Sequence, residues 1–291
     1  MASIRCGAVN FERWQALGND YLILDERALT FELTRGRIQR LCDRHFGIGA
    51  DGILLVSEPT ESGFVARMRI FNPDGSESGL SGNGVRQAIL YLRRHRWTGE
   101  DRFSVQTNAG EIRATITSST TCTVDMGRSR LQSEDYPSGA PNGIGELTAG
   151  GRTWRFQHVH VGNPQCSIAV ADEHELDGLD LAAIGPAIEH HELFPNRTNV
   201  SWYAVLDRNR IRARIFERGV GETSASGTGA IGAAVAHILE GGESPVAVRL
   251  DGGELEVEVG ENLEINLTGW AKPVVRGTLA AELIEELNAT E

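Results

Sequence analysis

The chain has 291 residues, 40% of them hydrophobic and 23% charged, with a net charge of −12. At roughly 150 residues per domain this suggests two globular domains, each able to bury a core without staples. The acidic balance argues against nucleic acid or an anionic membrane as partner, no run approaches the ~20 apolar residues of a membrane span, and the opening MASIRCGAVNFERW lacks the apolar stretch of a secretory signal.

Strand-like and helix-like segments alternate along the chain. Residues 11–15 and 21–25 read as a hairpin, and residues 34–45 as a helix with Ile38, Leu41 and Cys42 at helical spacing. Residues 53–57 and 65–72 read as strands, followed by the turn signal Asn72-Pro73-Asp74-Gly75. Residues 84–94 read as a helix with Val85, Ala88, Ile89 and Leu92 on one face, and residues 102–107, 111–117 and 122–126 as a meander. From 128 to 151 the chain is rich in Gly, Ser and Pro and reads as a linker or long surface loop. Strands follow at 154–161 and 167–170, a helix at 181–190, strands at 200–205 and 212–217, and a helix at 228–239. Strands at 246–250, 255–259 and 263–267 precede a short amphipathic helix at 279–287.

Lys272 is the only lysine, so pyridoxal or aldolase chemistry through a Schiff base is not expected. Cys6, Cys42, Cys122 and Cys166 are far apart and form no CxxC pair, which suits a cytoplasmic protein with free thiols. His158 and His160 would share one face of a strand, but no carboxylate or cysteine is spaced to complete a metal site, so no metal is expected.

The chain also repeats itself. Residues 67–88, RMRIFNPDGSESGLSGNGVRQA, align without a gap on residues 212–233, RARIFERGVGETSASGTGAIGA, at an offset of 145 (212 − 67). Arg69/Arg214, Phe71/Phe216, Glu77/Glu222, Ser81/Ser226, Gly82/Gly227 and Gly84/Gly229 are among the matches. This spacing is too long for a solenoid and implies two similar domains with pseudo-twofold symmetry. Facing each other, they would set Ser81 and Ser226 on opposite sides of one cleft, each at the start of a helix. Helix N-termini offer free N–H groups and a positive dipole end for an anion. An acid on one face and a base on the other is what stereochemical inversion requires.

These residues resemble the diaminopimelate epimerase family of cofactor-independent racemases and isomerases. The resemblance runs through Gly18-Asn19-Asp20, FGIGADG at 46–52, IFNPDGSE at 70–77, SGNGVR at 81–86, VGNPQ at 161–165, RTNV at 197–200 and ERGVGETSASGTGA at 217–230. It implies a mixed α/β fold of two domains, each a sheet wrapped around a central helix. The expected spans are 1–128, 129–268, and a tail, 269–291, returning to the first domain. It implies substrate binding by Asn19, Asn72, Asn163, Asn199, Gln165 and Arg218, and by the amides of Gly82, Asn83, Gly227 and Thr228. Ser81, Ser226 and Glu217 would be the catalytic residues, with no cofactor, a small amino-acid or carboxylate substrate, and a homodimer.

The family works with a cysteine at each serine position, and with histidine at position 165. A hydroxyl is far less acidic than a thiol and acts as a base only where a neighbour takes its proton. For Ser226 that neighbour is Glu217. At Ser81 the amide of Gln165 takes none at neutral pH. Two alternatives accompany the epimerase reading. One is a non-epimerising isomerase using serine and a carboxylate among Glu217, Glu222, Glu77 and Asp74. The other is an inactive amino-acid-binding homologue. Two further readings fail on context. The literal GxGxxG at 47–52 follows a helix and leads into a strand, the wrong order for a dinucleotide site, and neither serine sits in a GxSxG elbow.

Overall fold

The protein is described by a computed structural model covering residues 8–79 and 81–289. Cys6 lies outside the described residues. The chain divides into two compact units, Met1–Val124 with Trp270–Glu291, and Asp125–Gly269.

The first unit begins with β1 (Asn10–Ala16) and β2 (Asn19–Asp25), an antiparallel hairpin closed by Leu17 and Gly18. Both turn residues have positive φ, 54° and 89°, the backbone a two-residue hairpin turn needs to match strand twist. Helix α1 (Arg35–Cys42) is capped by Thr34 and stops three residues short of the predicted end. There Asp43 turns to extended backbone, and its side chain accepts from the amides of His45 and Phe46. β3 (Ile53–Ser57) lies parallel to β2 and is wholly buried, β4 (Ala66–Phe71) runs antiparallel to it, and the short β5 (Glu77–Ser78) folds back on β4. Helix α2 (Gly82–Arg94) starts two residues before the predicted position, because Ser81 caps it. Every residue from Gly82 to Leu92 is buried, the signature of a helix enclosed on all sides, and β1 to β4 pack against it. β6 (Arg102–Thr107) and β7 (Gly110–Ile116) extend the sheet. β8 (Thr121–Arg128) contains the break between the units, about four residues before the expected boundary.

The second unit corrects the linker expectation. Within residues 128–151, β9 (Ile144–Ala149) pairs antiparallel with β10 (Arg152–His160), and Arg130 bridges to His160. Leu147 and Ala149 alternate with exposed neighbours, a half-buried strand pattern hidden by the surrounding Gly and Ser. β11 (Pro164–Val170) follows, then helix α3 (Glu173–Gly178), which was not predicted and is capped by Asp172. Next come α4 (Leu181–Glu189), β12 (Asn199–Asp207), β13 (Arg210–Glu217) and the three-residue β14 (Gly221–Thr223). Helix α5 (Gly227–Leu239) is the second enclosed helix, packed against β10 to β13. Its small residues let the sheet come close: a Cβ on Gly232 would lie 2.8 Å from Gln165 Cβ. β15 (Val246–Leu250), β16 (Gly253–Val259) and β17 (Glu264–Trp270) complete the unit's strands. The chain then returns to the first unit, where β18 (Lys272–Thr278) pairs with β1 and α6 (Ala281–Ala289) adds Ile284 and Leu287 to the core around Ile38 and Leu41.

The repeat is structural as well as textual. Helices α2 and α5 coincide residue for residue at the offset of 145, as do β2 and β11. β2 pairs parallel with β3, and β11 parallel with β12. The fold is therefore mixed α/β, two similar domains each built as a sheet around a central helix.

Candidate active site

Each unit carries candidate residues at the N-terminus of its own central helix. In the second unit Ser226 is the N-cap of α5, extended at φ −134° and ψ 126°, and its Oγ accepts from the Gly229 amide at 3.3 Å. The same hydroxyl donates to Glu217 Oε2 at 3.0 Å, while Thr223 donates to Glu217 Oε1 at 2.9 Å. Glu217 is the last residue of β13, and β14 folds back beside it to bring Thr223 into range. Burial pushes the Glu217 carboxyl above the usual carboxylate range, against the opposing effect of the Thr223 and Ser226 hydroxyls.

The amide side chains form a second layer. Asn163 donates to Thr228 Oγ1 at 3.3 Å, and Gln165 donates through Nε2 to Asn163 Oδ1 at 2.7 Å. Gln165 is fully buried, and its Oε1 has no hydrogen-bond partner among the described residues. Asn199 donates to the Pro164 carbonyl and accepts from the Arg218 amide, while the Arg218 guanidinium donates to the Asn196 carbonyl. Thus Glu217, Ser226, Asn163, Gln165, Asn199, Arg218, Gly227 and Thr228 share the elements around one helix end.

The first unit repeats the frame with different chemistry. Ser81 caps α2 at φ −138° and ψ 115°, and its Oγ accepts from the Gly84 amide at 3.1 Å. Here the hydroxyl receives a second proton donor: Tyr21 Oη donates to it at 3.3 Å. Position 72, the counterpart of Glu217 (72 + 145 = 217), holds Asn72, which donates to Ser76 Oγ within its own turn. Asn19 donates to Asp51 Oδ2, and its carbonyl accepts from Gln87. Asn83 accepts from Arg86 Nη2 at 2.7 Å, and Arg86 Nη1 donates to the Gly82 carbonyl at 3.0 Å. Arg86 is fully buried, has Ile231 as its counterpart, and is pushed down to about 10 by that burial.

Sequence reasoning missed Tyr21 and Arg86. Tyr21 reads only as an inward residue of a hairpin strand. Arg86 sits between core positions of a helix, and its four-residue spacing from Gly82 is the signal that it could reach back to the first turn. The other carboxylates considered have structural partners. Glu77 forms a two-point pair with Arg69 and Glu222 pairs with Arg214, while Asp74 accepts from Ser76.

The His158–His160 pair belongs to a separate cluster. His158 is fully buried and shares a hydrogen bond with Ser133 Oγ at 2.9 Å, and His160 lies 3.4 Å from Asp135. Among the described residues no cluster of three or more His, Cys, Asp or Glu could hold a metal, and no helix is long and apolar enough to cross a membrane. Burial, reinforced by the neighbouring His160, holds His158 down at about 4 against an ordinary 6.5. The unfolded chain therefore binds the proton first, so stability falls as pH drops below 6.5 and levels off below 4. At about 1.4 kcal/mol per pH unit, the loss at pH 5 is about 2 kcal/mol. His158→Gln keeps a hydrogen-bonding group for Ser133, donor or acceptor, and should remove that share of the stability difference between pH 7 and pH 5 in urea melts. An unchanged difference would assign the acid sensitivity elsewhere.

Comparison with known proteins gives this geometry a context. Solved structures with the same fold include a hydroxyproline epimerase from Agrobacterium vitis (TM-score 0.66, 14% identity, 97% of this chain and 94% of that one). A phenazine biosynthesis protein from Bacillus anthracis is similar to the same degree (TM-score 0.65, 17% identity, 94% and 99%). The fold is thus one shared by epimerases and phenazine-biosynthesis proteins. The diaminopimelate epimerase family model matches residues 14–132 and 157–273. The chain is 40% identical over 278 residues to the diaminopimelate epimerase of Synechocystis, covering 93% of this chain and 98% of that one. It is 39% identical over 284 residues to the chloroplastic enzyme of Oryza sativa subsp. japonica, covering 93% and 80%. The chain belongs to the diaminopimelate epimerase family and is by that membership an isomerase.

Proposed function

We propose that this isomerase breaks and remakes the Cα–H bond of an α-amino carboxylate, diaminopimelate or a close relative, without pyridoxal phosphate. The observation that carries the reading is the Ser226 hydroxyl held 3.0 Å from the half-buried Glu217 carboxylate at a helix N-terminus. As Ser226 Oγ takes the Cα proton, Glu217 takes the Ser226 proton, and the C–H electron pair delocalises into the substrate carboxylate. The amides of Gly227 and Thr228 hold that carboxylate and stabilise its growing charge, and those of Gly82 and Asn83 are their counterparts at the helix end of the first unit. Ser81 is the corresponding hydroxyl of the first unit.

Asn19, Asn72, Asn163, Gln165, Asn199 and Arg218 anchor the rest of the ligand. The unpartnered Oε1 of Gln165 supports this, because an orphaned buried acceptor costs about 1–3 kcal/mol that a ligand ammonium would relieve. Independence from pyridoxal phosphate is supported by the single lysine: Lys272 is exposed on β18, with Nζ 5.4 Å from the Trp270 ring centroid. A cytoplasmic homodimer acting on a small molecule completes the proposal, supported by the family resemblance.

Incubation in D2O with LL- and meso-diaminopimelate tests the reading by loss of the α-proton signal in NMR. Exchange is the expected result. Absence of exchange with both isomers and with a panel of other amino acids would overturn it and leave a binding role or a different isomerisation.

A further inference from the structure

We propose that Tyr21 is the proton-relay partner of the first half-site, passing its phenolic proton to and from the ligand through the Ser81 hydroxyl. The inference rests on the isomerase reading and supplies the arm that reading leaves without a base.

The two half-sites are built alike and wired oppositely. Ser226 gives its proton to a carboxylate, whereas Ser81 accepts from both Tyr21 Oη and the Gly84 amide. Within its own unit, and among the described residues, Ser81 Oγ has no carboxylate or imidazole partner. The place that would supply one by symmetry holds Asn72, turned into its own loop. A phenol, with an ordinary pKa near 10, exchanges protons far more readily than an aliphatic hydroxyl.

Tyr21 is also held in place. It is buried on β2 opposite Trp14, and a Cβ on Gly52 would lie 2.6 Å from its Cε1, so the ring lies close over that glycine. The Gly52 of the FGIGADG segment thereby gains a role: a side chain there would meet both the Phe71 carbonyl and the ring. The first turn of α2 presents its positive dipole end to Ser81, and the buried Arg86 guanidinium holds that turn from within. Both favour the negative charge that appears on this hydroxyl pair when its proton leaves.

The step balances in each direction. Once a base has taken the Cα proton, Ser81 O–H gives its proton to the carbanion, forming the new C–H bond. Tyr21 O–H reprotonates Ser81 and becomes the phenolate. In reverse, Ser81 Oγ takes the Cα proton while its own proton passes to the Tyr21 phenolate, and the electron pair stays on the ligand. Ser81 meets the ligand and Tyr21 acts through it.

Tyr21→Phe separates this relay from a structural role, since the ring still packs on Gly52 and the Ser81–Gly84 cap remains. The probe is α-proton exchange in D2O with LL- and meso-diaminopimelate taken separately. The variant should lose exchange from one antipode by roughly 10²–10⁴-fold, and keep exchange from the other. Ligand affinity and thermal midpoint should stay at wild-type values. Ser81→Ala should give the same split, and the double variant should lose little more than either single one. Equal loss from both antipodes, or no loss, would overturn the relay. If the wild-type protein exchanges neither isomer, the isomerase reading itself fails, an outcome distinct from a wild-type protein that exchanges both and a Tyr21→Phe variant that matches it.

Discussion

Glu217→Gln is expected to lower α-proton exchange by roughly 10²–10⁴-fold, the usual contribution of a positioned acid–base group, while raising the thermal midpoint at neutral pH. The two effects have one cause. Burial raises the carboxyl above its ordinary value in the folded chain, so the folded state holds this proton more tightly than the unfolded state. The stability it contributes is fully present below the unfolded pKa and is lost as pH rises through the folded one. A neutral amide removes that loss. It keeps one carbonyl for a hydroxyl and turns its NH2 toward the other, so neither Thr223 nor Ser226 is left facing an apolar atom. Melting curves at pH 5 and pH 8 check the stability half: the variant's advantage should grow with pH. A constant offset would mean that the carboxylate is not strained by burial, and full exchange activity would mean that Ser226 is served by another base. The proposed function thus implies a site held at some cost to the fold, a trade common where activity needs a group the core would reject.

What could be read from the sequence follows the same physics. The repeat was legible because it lies in the two places where the chain has least freedom. These are the strand–turn–strand that sets Arg69 on Glu77 and Arg214 on Glu222, and the Ser-Gly-x-Gly start of each enclosed helix. Long, strongly patterned elements such as β3 and α5 were therefore placed within a residue or two. The strand β9 was not, because its four alternating positions sit among glycines, and loop composition outweighed a short period-2 pattern. Helix α3 was missed because its six residues bury only Leu176, and the Asp172 cap was its main local signal. At the site, the pairing of Glu217 with Ser226 was suggested by family position alone. The pairing of Tyr21 with Ser81 spans sixty residues and depends on how β2 packs beside α2, which no local pattern encodes.

Replacing Arg86 by methionine should cost kcat/KM roughly 10²–10⁴-fold without lowering the thermal midpoint. The guanidinium is fully buried and its contacts are neutral ones, the Gly82 carbonyl and the Asn83 side chain. A cation so placed contributes little to net stability, because desolvation offsets its hydrogen bonds, and an apolar residue of similar volume is often tolerated or better. Its two charge-assisted bonds nevertheless fix the first turn of α2, at about 1.5–3 kcal/mol each. That turn presents Ser81, Gly82 and Asn83, so freeing it disperses the amides proposed to hold the ligand carboxylate, and preorganised donors lose most of their effect when they must be ordered during the reaction. Arg86→Lys restores the charge but not the planar two-point grip, and should recover only part of the loss. A fall in stability matching the fall in activity would make Arg86 a core residue that happens to be charged. Activity lost from a protein that melts no lower than wild type would make it a positioning residue. It would also explain why the first half-site carries a buried positive charge at the position where the second, served by Glu217, carries Ile231.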